Sequence, residues 1–70
     1  MTSRDLKKLR SKLPQGASAV ISSKTGLSVS MVNMVLSGKR NNTAILEYAI
    51  ELARNYQMQL KETKDKIDAL

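Results

Sequence analysis

Large apolar side chains recur along this chain three, four and seven residues apart, the repeat of helices that bury one side. Leu6, Leu9 and Leu13 stand at i, i+3 and i+7 among Lys7, Lys8, Arg10 and Lys12, which predicts a first helix over about 3–12. Ser3 is placed to cap it, and Pro14 stops it by disfavouring helix in the residue before. After the turn Pro14-Gln15-Gly16, a second helix is expected over about 17–24, with Val20 and Ile21 facing the core. Val32, Val35 and Leu36 mark one face of a third, over about 29–37, which Gly38 ends. Asn42 or Thr43 can cap a fourth, running from about 44 through 56 and further. Its buried stripe is Ile45, Ala49, Leu52 and Tyr56, broadened by Leu46, Ile50 and Ala53. Every element expected is a helix, so the fold class is all-α.

The segment from Lys24 to Arg40 is the most informative. Gly26 can take the left-handed conformation that closes one helix and turns toward the next. Leu27 follows as an apolar plug for the corner, and Ser28 is a good N-cap. Opposite the apolar face of the third helix lies a strip of small or uncharged side chains: Ser30, Asn33, Met34 and Ser37. A short helix anchored on one face and free on the other is what reading a duplex groove needs.

These residues resemble the helix-turn-helix of the lac-repressor family, within the broader lambda-repressor-like group. The turn Thr25-Gly26-Leu27-Ser28 is similar to that family's Ala/Thr-Gly-Val-Ser corner. Val32-Asn33-Met34-Val35-Leu36-Ser37-Gly38-Lys39-Arg40 is similar to its Val-Ser-x-Val-Leu-Asn-Gly-Lys segment. Ser22 stands where such motifs usually place alanine to let the two helices touch. The match covers about 16–40, with a looser match to about 56. It implies a four-helix lambda-repressor-like helix-turn-helix domain over 1–56. Beyond Tyr56 the composition turns polar and charged, with Lys61–Asp65, Glu62–Lys66 and Lys64–Asp68 four apart, which reads as an extension over 57–70, helical or frayed, that would lengthen the last helix.

Charge adds to this picture. The chain has 70 residues and a formal net charge of +6. Residues 1–43 set eight cations against the single carboxylate of Asp5, a net +7, whereas residues 44–70 set four cations against five carboxylates, a net −1. The basic half is the half that carries the turn motif, and such a half attracts polyanions. It also suits RNA, but no aromatic is interleaved with the cations; both tyrosines lie on the fourth helix. The cations of the first helix have two readings, a solvated face or phosphate contacts at the edge of an interface. Cysteine and histidine are absent, so the common metal ligands, general bases and nucleophile pairs are missing. An enzyme is not expected, nor a cofactor. No segment is long and apolar enough for a membrane span or a signal peptide, and the default expectation is a cytoplasmic protein with no membrane partner.

Carried over residue by residue, the resemblance implies a DNA-binding role for these positions. Ser28 would meet a phosphate at the start of the third helix, and Ser18 a phosphate at the start of the second. Val29, Ser30 and Met34 would take the principal base-facing positions, flanked by Asn33 and Ser37. Lys39, Arg40 and Asn41 would hold the backbone beyond the helix. Family members commonly place long polar or charged side chains where Met34 stands, and often where Val29 or Ser30 stands. Valine and methionine make no bidentate bonds to bases but do touch thymine methyls. The implied function is therefore a small transcriptional regulator on double-stranded DNA, with phosphate contacts supplying most of the affinity. One such unit covers about half an operator, so a homodimer through the fourth helix or the C-terminal extension is an expected partner arrangement. The ligand-binding domain of full-length lac-type repressors has no room in 70 residues, so no small-molecule effector is expected. The alternative is a helix-turn-helix fold reused as a protein-interaction module, for which exposed Val29 and Met34 are the best support.

Overall fold

The computed structural model describes residues 2–70. Its chain is all-helical, with four helices and no strand among the described residues: α1 (Ser3–Lys12), α2 (Ala17–Thr25), α3 (Val29–Leu36) and α4 (Thr43–Asp68). Each helix begins and ends where local chemistry demands. Thr2, rather than Ser3, caps α1: its Oγ1 accepts from the Asp5 N–H at 3.2 Å while Asp5 Oδ2 accepts from the Thr2 N–H at 3.1 Å. This reciprocal box satisfies two donors at once. The bond from the Thr2 N–H, followed by the nearby Thr2 hydroxyl, favours the ionised carboxylate and holds Asp5 below its ordinary value of 3.8. Ser28 Oγ accepts from the Met31 N–H to start α3, and Asn42 Oδ1 accepts from the Ile45 N–H to start α4.

Gly38 closes α3. Its N–H donates to the Val35 carbonyl at 3.1 Å, and the Lys39 N–H donates to the Met34 carbonyl at 2.9 Å. That pairing is a Schellman motif, which needs a left-handed residue, and Gly38 has φ +86°. The position is also crowded, since a Cβ there would stand 3.2 Å from Leu6 Cδ1 of α1.

The core gathers one face from each helix: Leu9 of α1, Ile21 of α2, Val32, Val35 and Leu36 of α3, and Ile45, Ala49 and Ala53 of α4. Three apolar assignments shift. Val20 is 44% exposed, so Ile21 alone of that pair faces inward. Leu52 and Tyr56 are half-buried at the edge of the α4 stripe, whose centre is Ile45, Ala49 and Ala53. Small alanines at this centre let α4 pass close to its neighbours. α4 runs unbroken through Tyr56 to Asp68. Gln57, half-buried, donates from Nε2 to the Lys12 carbonyl at 3.2 Å and ties α4 to the end of α1. From Met58 onward every residue is exposed, so the last three turns form an arm that projects from the packed body.

Candidate nucleic-acid interface

Between α2 and α3 the helix direction turns through 114°, across only Gly26, Leu27 and Ser28. Gly26, at φ +74°, donates its N–H to the Ser22 carbonyl at 2.9 Å. Side chains then lock the corner. Ser22 Oγ donates to the Leu27 carbonyl at 2.5 Å, and the Leu27 N–H donates to Thr25 Oγ1 at 3.3 Å. The smallness of Ser22 suits it to a helix contact, but its hydroxyl adds a bond that alanine lacks. Leu27 is half-buried against the core. The α2–α3 angle is therefore held by a glycine, two hydrogen-bonding side chains and an apolar plug.

That corner presents one face of α3 outward. Val29, Ser30, Asn33 and Ser37 are exposed, Val29 to 43%, and Met34 is half-buried at the margin. Lys39, Arg40 and Asn41 are exposed just beyond the helix. An open groove of about 550 Å³ runs beside this face. Arg10 of α1, Leu13, Gly16 and Ser18 line one side of it; Asn33, Met34 and Lys39 line the other. Eight of the ten candidate residues thus belong to α3 and the loop after it, and Ser18 is brought beside them. Arg10 is the residue that sequence reasoning did not single out. Its only signal was membership of a basic helix, and nothing in the sequence separates it from Lys7, Lys8 or Lys12.

Hydrogen bonding narrows what each polar group can do. Ser18 Oγ donates to Asn33 Oδ1 at 2.6 Å. A hydroxyl has one hydrogen, so Ser18 has none left for a phosphate. Asn33 in turn has one lone pair of its carbonyl oxygen engaged, which leaves the second lone pair and the amide N–H groups free. The bond fixes the orientation of the amide, whose two ends the two-bond recognition of adenine uses together. Ser28 differs: capping uses a lone pair and leaves its hydrogen available. Ser37 Oγ donates back to the Met34 carbonyl at 3.2 Å.

The N-terminus of α2 supplies further donors. Ala17 N–H bonds the Pro14 carbonyl, while the N–H groups of Ala19 and Val20 both reach the Gly16 carbonyl. Among the described residues this leaves the Ser18 N–H without a backbone acceptor, at a helix end whose dipole favours anions. Gly16, at φ +78° with open space around it, carries no side chain to block approach. The groove therefore combines a helix N-terminus with the Arg10 and Lys39 side chains. No protein-family model, no curated protein and no solved structure matches this chain.

Proposed function

We propose that this chain binds double-stranded DNA as a small transcriptional regulator, with α3 in the major groove and the cations around it on phosphates. The observation that carries this reading is the 114° corner, closed by three residues, which falls within the range of about 90–120° for helix-turn-helix motifs. The resemblance of 16–40 to the lac-repressor family supports it from the sequence. So does the gathering of Arg10, Lys39 and the α2 N-terminus along one side of α3.

In this reading α2 lies across the DNA backbone. The Ser18 N–H and Arg10 hold one phosphate region, and Ser28 Oγ, Lys39, Arg40 and Asn41 hold others. Val29 and Ser30 lead the outward face into the groove, where Val29 meets thymine methyls and Asn33 donates to a base acceptor or a phosphate. With no arginine or glutamine on α3, base discrimination is modest and phosphates carry most of the affinity.

Fluorescence anisotropy of a labelled mixed-sequence duplex tests the reading. Binding that is tight at low salt and collapses at moderate salt is expected. No binding at low salt would remove it. One observation favours the second reading, a protein-docking module: an apolar Val29 that is 43% exposed on the same face. For that case duplex binding is absent, and Val29→Ser abolishes protein association instead.

A further inference from the structure

We propose that α3 reads the C5-methyl groups of pyrimidines, so that this chain distinguishes 5-methylcytosine from cytosine in a duplex as it distinguishes thymine from uracil. The inference rests on the duplex-binding reading and says what its base-facing surface recognises. It starts from what α3 lacks. No residue of Val29–Leu36 is charged and none is a glutamine. At about 100° per residue, the outward face runs from Val29 through Asn33, Ser37 and Ser30 to Met34, an arc of about 140°. Ser30 and Ser37 lie toward its middle. Serine hydroxyls bond to either kind of base edge, and that of Ser37 already donates to the Met34 carbonyl at 3.2 Å. Asn33 alone carries an amide, and Ser18 fixes its orientation. Polar groups on this helix therefore discriminate little among base pairs.

Apolar groups hold both edges of the same arc. Val29 is 43% exposed at the start of α3, directly after the Ser28 cap, whose Oγ accepts from the Met31 N–H at 3.1 Å. Met34 is half-buried and lines the open groove with Asn33 and Lys39. Val29 and Met34 stand about 7.5 Å apart along the helix axis, so they offer two separate apolar contacts. The small serines between them let α3 approach a groove floor closely. In the major groove the apolar feature of a base pair is the C5-methyl group, which thymine carries and the other three bases lack. 5-Methylcytosine presents the same group at the same ring position. A side chain that only packs against a methyl is indifferent to the pyrimidine that bears it.

Uracil differs from thymine by that methyl alone, which makes the test direct. Fluorescence anisotropy at low salt compares an alternating adenine–thymine duplex with its adenine–uracil counterpart. The thymine duplex is expected to bind more tightly, by about fourfold for each methyl contact, the worth of burying one methylene-sized group. A mixed-sequence duplex carrying uracil for thymine is then prepared with cytosine or with 5-methylcytosine, and the methylated form is expected to bind more tightly. Val29→Ser and Met34→Ala are each expected to lower the thymine-over-uracil ratio about twofold or more, with circular dichroism checking that the variants fold. The two comparisons on the unaltered chain decide the matter whether or not they do. Equal binding of the thymine and uracil duplexes overturns the proposal and leaves duplex binding standing. So does a 5-methylcytosine duplex bound no better than the cytosine one, or a thymine preference that both folded variants retain in full. Absence of binding to every duplex removes both readings and returns the apolar edge of α3 to protein docking.

Discussion

The hydroxyl of Ser18 has one hydrogen to give, and Asn33 takes it. This single bond couples the start of α2 to the outward face of α3 and sets the orientation of the Asn33 amide. Ser18→Ala releases Asn33 Oδ1, so the variant is expected to change preference among duplex sequences with little loss of overall affinity. Anisotropy on a panel of duplexes that differ at single base pairs checks this. Asn33→Ala is expected to flatten such preferences if Asn33 reads a base, and to lower affinity uniformly if it holds a phosphate. Gly38 is a second place where one residue governs the surroundings. Gly38→Ala forces a side chain into left-handed backbone and toward Leu6 Cδ1. It is expected to cost on the order of 1–2 kcal/mol from the backbone alone, measured by urea titration. The need for glycine here was legible in the sequence, because α3 had to stop and turn. The Ser18–Asn33 bond was not, because fifteen residues separate partners that meet only once α2 and α3 cross.

At the scale of elements, the candidate interface is built largely from the ends of helices. Arg10 near the end of α1 and Lys39 and Arg40 after α3 border the same face. Arg10→Ala, Lys39→Ala and Arg40→Ala are each expected to weaken binding to all duplexes and reduce the salt slope by about one. Anisotropy at several salt concentrations reads both effects, and an unchanged slope for Arg10→Ala would return it to the solvated face of α1. The start of α1 makes a pH-dependent contribution. The folded carboxyl of Asp5 is held below its ordinary value, so its cap is fully present above that value. The contribution is lost as pH falls through the lowered one. Loss of protection at the Thr2 and Asp5 amides under acid conditions, followed by NMR, is the expected sign. Capping chemistry at Ser28 and Asn42 was readable from residue type. The choice of Thr2 over Ser3 was not, since both are good caps and only the reach to Asp5 separates them. Likewise Val20 and Ile21 are adjacent and apolar, but neighbours on a helix point about 100° apart, and the packing of α2 on α3 and α4 admits Ile21.

For the molecule as a whole, a core this small leaves little margin. Ile45 and Val32 are completely buried. Ile45→Ala is expected to cost about 2–5 kcal/mol, a large part of the roughly 4–10 kcal/mol available to a chain of this size. Thermal denaturation should show a fall in Tm on the order of 10 °C or more. The sequence by itself determined the number and order of the helices, the glycine turns, the caps of α3 and α4 and the concentration of positive charge in the first half. These follow from local rules, since helical periodicity, left-handed backbone and formal charge need no distant partner. The tertiary structure decided the rest: the 114° crossing, the bond between Ser18 and Asn33, and the selection of Arg10 from four similar cations. Each of these depends on how one helix is rotated against another. That rotation is set by the packing of all four apolar faces together, which no local stretch of sequence contains.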